Sequence, residues 1–186
     1  YTQDYDERIP ARRISGTNAQ GWRRVIQPYI KSTQLFACPS NTNNTQTTSE
    51  TDAALNPVSI PRSYAINGTD GGGALGIGPS GSTAPSEVDR SQTLAAIPDT
   101  AGTVLVAEWM GVEHELTFNN DAATFAGKCF TGHLGTSNFL FVDGHVKAMK
   151  PVATGNPVNM WNIQENFGDN DANLMARLNA WQNKLN

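Results

Sequence analysis

Apolar positions recur along this chain in two rhythms, and each rhythm predicts elements. Leu174, Leu178, Trp181 and Leu185 stand at i, i+4, i+7 and i+11, one stripe of an amphipathic helix near the C-terminus, with residues 169–171 supplying its cap. Residues 103–109 (TVLVAEW) are β-branched and apolar on both faces, as a central strand requires. Residues 138–142 (NFLFV) and 145–149 (HVKAM) flank Asp143-Gly144, which predicts a hairpin with a type I′ turn, because both central residues would take positive φ. Trp22, Ile26 and Tyr29 or Ile30 fall at helical spacing and predict a short helix within residues 17–31, capped by Thr17 or Asn18 and disturbed by Pro28.

The remaining segments are weaker. Residues 1–10 read as the end of a helix that stops before Pro10, and a strand is expected around Tyr64 and Ile66. Residues 40–52, rich in Ser, Asn, Thr and Gln, and the glycine-rich stretch 68–86 read as loops. The sum is an α+β fold in one domain over residues 1–186, with an antiparallel sheet of at least three strands.

Composition changes the picture in one respect. Charged residues are 16% of the 186, and 18 Asn and 18 Thr fill the gap, so the surface is polar without being ionic. A net charge of −4 offers no basic footprint and argues against a nucleic-acid partner. Arg12, Arg13, Arg23, Arg24 and Lys31 follow one another without an acid between them, whereas residues 87–121 carry seven acids and one Arg. That asymmetry reads as two solvated faces, or as opposite poles by which copies stack.

Candidate chemistry is sparse. Residues 76–81 spell G-x-G-x-x-G but follow glycines and contain Pro79, so the strand-turn-helix context of a dinucleotide site is missing. His133, Asp143 and His145 carry donors for a divalent metal and define a metal-dependent hydrolase alternative; no metal is assigned to them. Glu108, Glu113 and Glu115 are conceivable paired carboxylates for sugar chemistry. Asp169, Asp171 and Asn173 form a D-x-D-x-N string, a helix cap or else a structural calcium site. No other cofactor is expected, and no catalytic residue. Cys38 and Cys129 are either two buried thiols or one disulfide, which would close a loop of about 90 residues and stabilise by roughly 4 kcal/mol. The first alternative, ahead of the hydrolase, is an extracellular saccharide or adhesion module built from residues 68–86 with Trp109 or Trp161.

His133, nine residues (LGTSNFLFV) and Asp143-Gly144 form an H-x9-D-G signature, and three other passages accompany it: YTQDYDERIP at the start, WRRVIQPYIKSTQLFACP over residues 22–39, and SYAIN over residues 63–67. In this order they resemble the bacterial prepilin-like group of the type IV pilin and type II secretion pseudopilin superfamily. The resemblance covers about 150 residues. It implies a globular head, with an antiparallel sheet packed against the stub of an N-terminal helix, in a filament or pseudopilus subunit. It implies partners that are copies of the chain or other pilin-like subunits, an inner-membrane-anchored precursor, and a cell-surface or periplasmic filament as the location. The group's hydrophobic anchor helix is not in this sequence, so Tyr1 is read as its last turn. His133, Asp143 and Gly144 carry architectural roles in this reading, and no enzymatic one.

Overall fold

The computed structural model describes residues 1–15, 20–42, 47–51, 57–69, 77, 82–167 and 171–185. Its strands are β1 (Arg13–Ile14), β2 (Gln20–Gly21), β3 (Thr47–Thr51), β4 (Pro57–Pro61), β5 (Tyr64–Ile66), β6 (Gly68–Thr69), β7 (Ser86–Glu87), β8 (Val104–Glu108), β9 (Ser137–Phe141) and β10 (Val146–Met149). The helices are α1 (Trp22–Val25), α2 (Ala122–Lys128) and α3 (Asp171–Leu185). Four strands form an antiparallel sheet in the order β10-β9-β8-β5, with β8 inside it as its apolar sequence predicts. Mixed helix and antiparallel sheet is the α+β class expected.

A bulge decides which residues face which way. Val104 pairs with Phe141 and Val106 with Leu140, so Leu105 is the extra residue on β8. Val104 and Ala107 therefore share one face with Phe139 and Phe141, and Val106 shares the other with Leu140. The first face is sealed by α3, whose Leu174, Leu178, Trp181 and Leu185 are all buried, as their spacing predicts. Trp109, Trp161 and Trp181 are fully buried there, and Phe118, Phe125 and Phe139 meet them edge-on or tilted, at 4.6 to 6.1 Å between ring centres. Full burial of a large apolar side chain contributes about 1.5–3 kcal/mol, so this layer is a principal source of stability. Asp121 caps α2 by accepting from the amides of Ala123 and Thr124, both at 3.0 Å.

Among the described residues, the second face is covered only in part, by Trp22, Phe36, Ile60 and Ile66. Between these residues and the sheet runs an open groove of about 380 Å³, lined by Trp22, Phe36, Tyr64, Val106, Leu140 and Val146.

Several local expectations are corrected. The first residues make a single 3-10 turn, Thr2–Asp4, and not the last turns of a long helix. The helix expected within residues 17–31 is the single turn α1, with Gly21 at its N-cap; Thr17 and Asn18 lie outside the described residues. Residues 40–52 are not all loop, because Thr47–Thr51 pairs with Pro57–Pro61. β-branched threonine suits a pleated strand, which polar composition alone conceals. The 143–144 turn is not type I′. The Gly144 amide donates to Phe141 O at 3.0 Å, the Phe141 amide to His145 O at 2.9 Å, and only Gly144 has positive φ, at 96°. That is a type I turn followed by a glycine bulge, a three-residue loop.

The basic run is a solvated face only at Arg13 and Lys31, which are exposed. Arg12, Arg23 and Arg24 are buried: Arg12 pairs with Glu115, and Arg23 lies 4.9 Å over the Trp22 ring and donates to the Tyr64 carbonyl. A planar guanidinium with its donors in a fork tolerates such burial where an ammonium would not.

Candidate functional site

β8 ends on an acid. Continuing its alternation past Ala107 turns Glu108 away from the α3 layer, and the β8–β9 register sets Asn138 opposite it. Glu108 is 1% exposed, a position at which a carboxylate needs partners. Ser137 Oγ and the Asn138 amide donate to Oε2, both at 2.9 Å, while Asn138 Nδ2 at 3.2 Å and His133 Nε2 at 2.8 Å meet Oε1. The chain just before β9 thus folds back so that His133 reaches the buried acid. Phe130 steadies the imidazole edge-on at 5.1 Å.

Cys38 completes the group. Its Sγ lies 3.8 Å from Glu108 Oε1 and 3.8 Å from His133 Nε2. The segment that carries it is fixed on both sides: the Ser63 amide donates to Phe36 O at 3.1 Å, the Asn41 amide to Cys38 O at 3.0 Å, and the Trp109 amide to Ser63 O at 2.9 Å. Tyr64 borders the cluster, its hydroxyl pushed up to about 12 first by burial and then by the charges of Cys38 and Glu108. Among the described residues, Cys38, Glu108 and His133 are the group of His, Cys and acidic side chains whose ligand atoms converge, all within 4.8 Å of one another.

The residues singled out from sequence are otherwise dispersed. His133 stands before β9, and Asp143 and His145 stand beyond its far end, a separation of about 17 Å along the five-residue strand. Asp143 Oδ1 accepts from the His145 amide at 3.0 Å and meets its Nδ1 at 2.7 Å, which holds the Asp143 carboxyl below the usual range; the His145 ring stacks on Phe141 at 4.3 Å. The His133, Asp143, His145 metal set is therefore not assembled. Glu113 is paired with Lys128 and Glu115 with Arg12, so no carboxylate pair for sugar chemistry forms with Glu108. Trp109 and Trp161 are both buried, Trp161 donating to Thr154 Oγ1 at 2.9 Å, and neither offers a saccharide-stacking surface.

Cys38 and Cys129 are not joined to each other, and the disulfide is not formed. Cys129 Sγ donates to the Phe125 carbonyl at 3.4 Å, and burial pushes its thiol pKa up. Of residues 68–86, positions 70–76 and 78–81 lie outside the described residues, as does Asp169 and the side chain of Asp171; Asn173 is exposed on α3. Ile77 is buried, its carbonyl accepting from Asn159 Nδ2 at 2.8 Å and Asn162 Nδ2 at 2.7 Å.

The sequence singles out His133, Glu108 and Cys38 in separate roles and does not show that they meet. Glu108 and Cys38 lie 25 and 95 residues from it. The one local signal was an acid ending an otherwise apolar strand, which requires a buried cation or donor set nearby. No helix among the described residues is long and apolar enough to cross a membrane. A scan against protein-family models finds no match for this chain, and searches of the curated proteins and of the solved structures find none of significance.

Proposed function

We propose that this chain is the globular head of a pilin-like or pseudopilin-like structural subunit of an extracytoplasmic filament or secretion pseudopilus. It acts by assembly with copies of itself or with other pilin-like subunits, its precursor held in the inner membrane by an upstream apolar helix, and it catalyses no reaction. The observation that carries this reading is the placement of the H-x9-D-G signature. Its nine-residue spacer contains β9, so His133 secures one end of that strand to Glu108 while Asp143-Gly144 turns the other end into β10. Residues of a reaction centre would converge, whereas these stand at opposite ends of one strand.

The passage over residues 22–39 packs within itself, on residues 63–67 and on the histidine of the signature. Trp22 meets Phe36 edge-on at 5.6 Å, Arg23 donates to the Tyr64 carbonyl, and Cys38 abuts His133. Residues 22–39 thus meet residues 63–67 and the His133 end of the signature, which supports a shared architecture for these passages. An antibody raised against the head tests the reading on source cells. The expected result is label along surface filaments, or protein retained with the inner membrane and released by shear. Protein recovered wholly in the soluble fraction overturns it.

A further inference from the structure

We propose that Cys38, Glu108 and His133 form a mononuclear binding site for a borderline divalent cation of the zinc class. This goes beyond the subunit reading and does not depend on it. The three donors come from three separate segments: the end of β8, the lead-in to β9, and the Phe-Ala-Cys-Pro segment after Thr33–Phe36. A thiolate, an imidazole nitrogen and a carboxylate oxygen are the ligand types that zinc takes.

The geometry is quantitative. The separations are 3.8 Å from Sγ to Oε1, 3.8 Å from Sγ to Nε2 and 2.8 Å from Nε2 to Oε1. The circumcentre of a triangle with those sides lies about 2.0 Å from each atom, which is the zinc–nitrogen and zinc–oxygen bond length; a displacement out of the plane and slightly away from Sγ accommodates the longer zinc–sulfur bond of about 2.3 Å. The cation takes the place of the direct contact between Nε2 and Oε1.

Charge and support agree with this. A Cys38 thiolate and the Glu108 carboxylate together neutralise a divalent cation, so no net charge is buried. Ser137 Oγ and the Asn138 amide hold Oε2 and so fix which oxygen faces the site, the outer-shell orientation that metal carboxylates require. The His133 side chain is 28% exposed, so the site opens to solvent on its side and a water completes tetrahedral coordination there. On binding, Cys38 gives its thiol proton to solvent and His133 presents Nε2 with its proton on Nδ1, so affinity rises with pH.

The test is titration of the reduced, metal-stripped protein with Co²⁺ as a spectroscopic probe, followed by displacement with Zn²⁺. The expected result is one equivalent bound, with a thiolate-to-cobalt charge-transfer band and tetrahedral d–d bands that zinc removes. The charge-transfer band is lost in Cys38→Ser and kept in Cys129→Ser, while Ser137→Ala weakens binding roughly tenfold to a hundredfold. His133→Gln and Glu108→Gln, both close in volume to the native residues, lose the stoichiometric site while circular dichroism shows them folded. No thiolate band in the wild-type protein overturns the proposal, whatever the variants do. So does a band that survives in Cys38→Ser.

Discussion

The two faces of the central sheet differ in how they are closed. On the α3 side Trp109, Trp161, Trp181, Phe125 and Phe139 are buried among one another, sealed by a fifteen-residue helix. On the other side a single helical turn, a 3-10 turn and a short hairpin cover only part of the sheet and leave an apolar groove, at one end of which the Cys38, Glu108 and His133 cluster sits. Asn138 and Tyr64 belong to both groove and cluster. The sealed face holds the fold together; the open face carries the polar network and the buried Arg23.

The largest effect should therefore come from the sealed face. Trp181→Ala is expected to cost about 3–5 kcal/mol in urea unfolding, since it removes a fully buried ring from the middle of the aromatic layer. A loss below about 1 kcal/mol would mean that α3 is not the seal. Next is Glu108→Ala, expected to cost about 2–3 kcal/mol: it strands the Ser137 and Asn138 donors, while His133, partly exposed, recovers water. Gly144→Ala comes third, at about 1–2 kcal/mol; a Cβ there meets nothing within 4 Å, so the cost is that of positive φ alone.

The faces should also differ in their response to pH. His114, whose carbonyl accepts from Trp22 Nε1 at 2.9 Å, is held at about 4 by burial first and then by Arg23, Arg62, Arg13 and Arg12. Its pKa is lower folded than unfolded, so the unfolded chain takes up the proton first. The stability it contributes is complete above about 6.5 and is lost as pH falls from there toward 4. Denaturant midpoints at pH 7 and pH 5 should differ in the wild type, and His114→Gln should narrow the gap. The smallest effect belongs to the groove rim: Val146, 63% exposed, should tolerate Val146→Thr within about 0.5 kcal/mol.

What was legible in the sequence follows the same division. The stripe of Leu174, Leu178, Trp181 and Leu185 and the apolar run through Val104 are periodic within one element, so the sealed face and its strand were readable. The hairpin was placed, but its turn was not, because Asp-Gly serves a glycine bulge as well as a type I′ turn and the bulge on β8 leaves no local mark. The open face was largely hidden. Arg23 donating to the Tyr64 carbonyl 41 residues away, and Cys38 beside a histidine 95 residues away, are tertiary pairings that no local period encodes. The Thr47–Thr51 strand was masked by polar composition, and Trp109 and Trp161, sought as a binding surface, are core.

The proposed function is tested most directly by the N-terminal sequence and intact mass of the native protein taken from membranes and from sheared surface material. The account predicts a mature chain in which Tyr1 is preceded by an apolar stretch of roughly 20 residues or more, the length of a membrane-spanning helix. A membrane-free native protein whose first residue lies at or near Tyr1, with no anchored precursor, would contradict it.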